Sequence, residues 1–360
     1  MMNEVKHLYV HVPFCRSICY YCDFCHRIYD HELAQKWLER FKKEIENSLV
    51  PGYETIYIGG GTPTALEYDE LKTLLDYLKP YSQQAFEYTI EANPESLDED
   101  KIILMKEYGI NRISLGVQST DTGILRSINR KHDFALIKEK IALLRKHGLD
   151  NISVDLMYSL PNQTLETLQK TLDDILSLDV PHISIYSLTI EENSVFGRKG
   201  ISALDEEIEA DMYELIEKCL TQNGYRHYEI SNFCKEDCYS RHNMSYWNYE
   251  DFIGVSLAAS SKIGSRRYTN TRSFERYFSS DDIHEEDIVL NKKEQMFEHI
   301  MMSLRTDLGL DIDGFERRYE CKIEEEYPQG TGNPHIVIEN GRMYCKDLAI
   351  LNTVLLDFME

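Results

Sequence analysis

Apolar and polar residues alternate along six short runs in the first half of the chain: Leu8–Val12, Thr55–Ile58, Phe86–Ala92, Arg112–Val117, Ile152–Leu156 and His182–Leu188. A period of two predicts strands, because successive side chains leave opposite faces of a sheet. In the longer intervals apolar residues return every three or four positions. Ala34, Trp37, Leu38, Phe41, Ile45 and Leu49 form one such stripe, with Asp30 near its start, and Leu104–Tyr108, Leu136–His147 and Leu165–Leu178 repeat the period. These are helices with one buried face. Regular strand–helix alternation predicts an α/β fold around a parallel sheet.

One face of every predicted strand is apolar. The other collects Tyr9 and His11, Tyr57, Glu91, Ser114 and Gln118, Ser153 and Asp155, and His182 and Tyr186. A polar face repeated six times predicts a wide, partly open barrel, a partial (β/α)6 TIM-like barrel over residues 1–196, with its functional groups at the C-terminal strand ends. Beyond it, residues 197–287 read as a flanking α/β extension. Ile208, Met212, Leu215, Ile216 and Cys219 mark a helix, His227–Phe233 a strand, and Asp237–Ser280 is turn-rich and aromatic. Residues 288–360 read as a small α+β appendix. A helix over Glu294–Arg305, a break at Pro328–Pro334, a hairpin over Ile336–Tyr344 turning at Asn340-Gly341 and a last helix over Leu348–Met359 compose it.

Charge narrows the partners. With 39 Lys+Arg against 62 Asp+Glu the formal net charge is −23, which repels a nucleic-acid backbone, and no basic stripe offers a local exception. No apolar run reaches the roughly 18 residues of a membrane span. Met1-Met2-Asn3-Glu4 lacks the features of a secretory signal, so a cytosolic protein with no nucleic-acid partner and no integral membrane segment is expected.

Nine cysteines, four of them within Cys15–Cys25, suggest ligation rather than disulfides. Cys15, Cys19 and Cys22 form a C-x3-C-x2-C triplet directly after the first strand. Three thiolates can hold a four-iron cube with one iron left open, while a closed zinc site completed by Cys25 or His26 is the alternative. Gly59-Gly60-Gly61-Thr62-Pro63-Thr64 follows the second strand, where glycines allow the backbone to approach a ligand. Glu91, Gln118 and Asp155 end the next three strands on the inward face, and Arg130 follows the fourth in a helix-like stretch. Together they suit a zwitterionic, ribose-bearing ligand.

The stretches Tyr9–Cys15, the cysteine triplet, Gly59–Thr64, Glu91–Pro94, Gly116–Ser119, Asp155–Tyr158 and His242-Asn243-Met244-Ser245-Tyr246-Trp247 resemble, in this order, the radical S-adenosylmethionine (radical SAM) proteins of the oxygen-independent coproporphyrinogen III oxidase-like group. Within it the chain is most similar to the heme chaperones. The resemblance implies a [4Fe-4S] cluster on Cys15, Cys19 and Cys22. It implies S-adenosylmethionine lined by Tyr9, Gly60, Gly61, Thr62, Glu91, Gln118, Arg130 and Asp155, and an electron donor as partner. It also implies a winged-helix-like appendix, and heme bound through the H-N-x-x-Y-W element, His242 with Asn243, Tyr246 and Trp247, for delivery to an acceptor protein.

The oxidases are expected to resemble this chain only in its barrel half, and typically carry a long N-terminal extension and a C-x-C cysteine where Phe24 stands here. Both differences favour the chaperone. Ser260 replaces a histidine usual in the family, and Cys234 and Cys238 form an additional C-x3-C pair. The competing readings are a porphyrinogen-decarboxylating enzyme, a radical SAM enzyme on another substrate, and a zinc-stabilised binding module.

Overall fold

The computed structural model describes residues 5–359. Six strands run parallel and pair in chain order: β1 (His7–Val12), β2 (Thr55–Gly60), β3 (Glu87–Ala92), β4 (Arg112–Gln118), β5 (Ile152–Tyr158) and β6 (His182–Ser187). Each expected strand is present, shifted by no more than two residues. Helices join them, the first over His31–Ser48 with the Asp30 carboxylate accepting from Leu33 N–H at its N-terminus. Leu8, Val10, Ile56, Ile58, Ile113, Leu115, Val154 and Ile183 are fully buried on the helix side. At roughly 1.5–3 kcal/mol for each fully buried aliphatic side chain, this face outweighs any local propensity and fixes the register.

The sheet does not end with the barrel strands. The predicted single strand over His227–Phe233 is instead a tight hairpin, β7 (Arg226–Glu229) and β8 (Asn232–Cys234), with β8 antiparallel to β6. The turn, Ile230-Ser231, contains no Gly, Asn or Pro, so no turn residue marked the reversal. The stretch expected to be turn-rich holds the helix Arg241–Trp247 and three further strands, β9 (Phe252–Val255), β10 (Ser260–Ile263) and β11 (Arg266–Asn270), to which β12 (His284–Val289) adds. β9 lies parallel beside β1, and the rest form an antiparallel meander. The twelve-stranded sheet therefore runs β12-β11-β10-β9-β1-β2-β3-β4-β5-β6-β8-β7. Its two edges do not pair, which leaves the barrel open along a seam.

The appendix has its own core of Ile300, Leu304, Phe315 and Met343 beneath a three-stranded antiparallel sheet. The expected hairpin spans Ile336–Glu339 and Arg342–Cys345, and Asn340 and Gly341 take the positive φ values of 51° and 75° that a two-residue turn needs. The expected last helix is instead three short turns, over Leu348–Ile350, Leu351–Leu355 and Leu356–Phe358. The helix Lys292–Ser303 connects appendix to sheet, where Ser303 Oγ donates to the Trp247 carbonyl at 3.3 Å and Asp307 N–H to the Tyr228 carbonyl at 2.9 Å.

Candidate functional site

The cysteine loop is tied down at both ends. Phe14–Cys15 pairs in parallel with Arg27–Ile28, so residues 15–26 arch over the C-terminal end of β1. Inside the arch, His11 Nε2 lies 2.7 Å from the Cys25 carbonyl and His11 Nδ1 lies 3.1 Å from Tyr9 Oη. A carbonyl only accepts, so Nε2 carries the proton and Nδ1 accepts from the phenol. Burial lowers the His11 pKa to about 4, which keeps this neutral form at physiological pH.

Cys15, Cys19 and Cys22 all line one chamber of about 440 Å³ at the barrel mouth. Burial pushes the Cys15 thiol up to about 11 and Cys22 to about 12, so a metal must displace protons to bind there. Arg130 Nη1 approaches Cys19 Sγ at 3.8 Å, and His26 Nδ1 approaches Cys22 Sγ at 3.8 Å. Cys25 is turned away, donating its thiol to the Arg272 carbonyl at 3.5 Å. Among the described residues no three His, Cys, Asp or Glu side chains converge as a single-ion site.

Below the thiols the polar inner faces of the strands line the same chamber. Gly60, Gly61, Thr62, Glu91, Gln118, Arg130 and Asp155 all border it. Tyr9 is one layer back, with its ring stacked on Tyr57 at 6.2 Å. Arg130 is not helical: it stands in the turn between helices Thr122–Ser127 and Phe134–Lys146, its Nη2 donating to the Gly116 carbonyl at 2.5 Å and to Asn93 Oδ1 at 2.8 Å. Asn93 Nδ2 in turn donates to Thr62 Oγ1 at 2.9 Å. Glu91 accepts from Tyr57 Oη at 2.9 Å and from Gly60 N–H at 3.1 Å. Burial, then the charge of Asp155, raises its pKa to about 8. Asp155 is also raised by burial, against hydrogen bonds led by Ser114 Oγ at 2.7 Å.

Asn93 and Arg112 escaped the sequence reading as site residues. Asn93 stands inside the quoted Glu91–Pro94 motif. Arg112, 2% exposed, opens β4 from the lumen floor, where only the rarity of a buried arginine could have marked it.

His242 sits elsewhere. It is 1% exposed on the helix Arg241–Trp247, stacked on Tyr57 at 5.4 Å, with Nδ1 2.7 Å from Thr55 Oγ1 and Nε2 2.7 Å from Tyr246 Oη. Ser260 is exposed on β10, its hydroxyl 2.9 Å from that of Thr269.

Residues 9–175 match the radical SAM superfamily, and residues 290–342 match the HemN C-terminal domain. The chain is 36% identical to the heme chaperone HemW of Lactococcus lactis over 91% of this chain and 88% of that protein. It is likewise 36% identical to the heme chaperone HemW of Bacillus subtilis, over 90% and 89% of the two chains. It belongs to the HemW family of radical SAM proteins. Among solved structures, the coproporphyrinogen III oxidase HemN of Escherichia coli superposes with a TM-score of 0.86 at 22% identity, covering 99% of this chain and 90% of its own. Likeness to the oxidase is therefore not confined to the barrel half as expected.

Radical SAM membership implies a [4Fe-4S] cluster and S-adenosylmethionine, and the chamber of this HemW-family chain fits both. Three thiols border a single space, while Gln118 Oε1 and Arg130 Nε are buried beside it without a hydrogen-bond partner. A donor and an acceptor left without hydrogen bonds next to a polar cavity, the donor only 4.0 Å from the Glu95 carboxylate, are matched by a ligand that bears both. Gly61 is required by contact: a Cβ there would meet the Phe14 carbonyl oxygen at 2.6 Å.

Proposed function

We propose that this chain is a heme chaperone of the cytosol, which binds heme and passes it to an acceptor protein. Cys15, Cys19 and Cys22 hold the [4Fe-4S] cluster in this reading. Gly60, Gly61, Thr62, Glu91, Gln118, Arg130 and Asp155 surround S-adenosylmethionine, with Tyr9 supporting them through Tyr57. A cluster on three thiolates supplies an open iron and one-electron transfer, so an electron donor is a second partner. The protein's own part is to fix the thiols on a pinned loop and to shield the lumen from water. No helix among the described residues is long and apolar enough to cross a membrane.

The observation that carries the proposal is the identity with relatives named heme chaperone, sustained at 36% over nine-tenths of both chains, so that it spans barrel, seam and appendix together. His242 enters as an iron ligand only after the Tyr246 hydroxyl releases its Nε2. The test is anaerobic reconstitution followed by hemin titration and transfer to an apo-hemoprotein. Stoichiometric binding and transfer are expected, with no decarboxylated product from coproporphyrinogen III and S-adenosylmethionine. A reconstituted protein that binds no hemin would overturn the reading.

A further inference from the structure

The open side of the barrel contains a second cavity, of about 510 Å³. Tyr186, Glu229 and Asn232 border it from the β6–β8 side of the sheet, and Phe252, Tyr268 and Thr269 from the β9–β12 side. The helix Arg241–Trp247 contributes Asn243, Tyr246 and Trp247, and the helix Lys292–Ser303 contributes Met301 and Met302. Only Tyr186 and Asn243 also border the thiol chamber, so the two spaces share a thin wall without sharing the cysteines.

The chemistry of this lining is specific. Tyr246 and Phe252 meet edge to face at 4.5 Å, and Trp247, Tyr249 and Tyr268 add further flat surfaces. Aromatic faces around a cavity of this size suit a planar macrocycle. The two methionines differ in their packing. Met301 rests on the appendix core, whereas Met302 is partly buried, belongs to no hydrophobic cluster among the described residues and borders the cavity. A thioether is a soft ligand that haem iron accepts axially. Arg267, nearly half exposed, lies at the rim in an ion pair with Glu298 that a carboxylate tail could exchange into. Glu229 and Glu286 border the cavity as well.

We propose that this seam cavity is the heme seat, with Met302 giving its sulfur to the iron and Arg267 receiving a propionate. The assignment rests on the heme-chaperone reading above. It places the cargo beside the lumen, separated from it by Tyr186 and Asn243, and not within it.

The test uses the full-length reconstituted protein with two probes, hemin and metal-free protoporphyrin IX. Ser260→Trp inserts a ring into the cavity from an exposed strand position and should weaken both probes about tenfold. Met302→Leu, nearly isosteric, should leave protoporphyrin IX affinity within about twofold while weakening hemin about tenfold and shifting its Soret band. Iron content and thermal unfolding report whether each variant is folded. If Ser260→Trp binds both probes as the unaltered protein does, the seat lies elsewhere and the chaperone reading survives. A hemin spectrum unchanged in Met302→Leu removes the sulfur ligand. Failure of the unaltered protein to bind hemin overturns the chaperone reading, and this seat with it.

Discussion

Nε2 of His242 lies 2.7 Å from the hydroxyl of Tyr246, and the Tyr246 ring faces the seam cavity. Burial, then the neighbouring His7, lowers the His242 pKa to about 3, so the imidazole stays neutral and one phenol stands between it and the cavity. Tyr246→Phe removes that competing hydrogen bond, worth about 1 kcal/mol, at nearly constant volume. Hemin should then bind about fivefold more tightly and show imidazole character in its spectrum. His242→Ala instead leaves Thr55 and Tyr246 without their partner and should cost about 2–4 kcal/mol of stability, read by chemical denaturation.

The cluster cysteines are separable from their neighbour. Single replacement of Cys15, Cys19 or Cys22 by serine should abolish most iron and sulfide uptake on anaerobic reconstitution. Cys25→Ser should retain both, because the Cys25 thiol faces the Arg272 carbonyl and not the chamber. Iron retained after loss of all three thiols would remove the cluster assignment.

Gly61 is tested by one methyl group. Gly61→Ala drives Cβ against the Phe14 carbonyl, a backbone atom of the strand that anchors the cysteine loop, so the loop must shift. A loss of about 1–3 kcal/mol is expected, together with weaker S-adenosylmethionine binding by calorimetry. A variant as stable and as competent as the unaltered chain would mean that the turn yields freely.

Glu91 makes a pH-dependent contribution. Its folded pKa of about 8 stands above its ordinary 4.5, so the folded state holds the proton more tightly than the unfolded chain. The stability from this group is complete below pH 4.5 and is lost as pH rises through about 8. Glu91→Gln removes that loss. The melting temperature of the variant, relative to the unaltered apo-protein, should therefore rise steadily as pH goes from about 5 to 9. A difference independent of pH would show that Glu91 is ionised throughout.

The sequence alone determined the barrel and the chamber chemistry. Six alternating runs specify strands because a one-residue slip would turn Leu8, Val10 and Val12 toward the lumen and Tyr9 and His11 into the apolar layer. The same alternation assigns Glu91, Gln118 and Asp155 to the inner face, and local spacing brings three thiols onto one loop. Tertiary structure decided what depends on residues far apart in the chain. β9 reaches β1 across more than two hundred residues, and the meander beyond it has strands of four to six residues, the last of them exposed along its length, too short or too polar for a period to register. The seam exists because those two sheet edges fail to meet, which no local pattern encodes. The motif around His242 was legible, but not its burial between Thr55, Tyr57 and Tyr246, since which side of a short helix faces the sheet is settled by the strands it packs on.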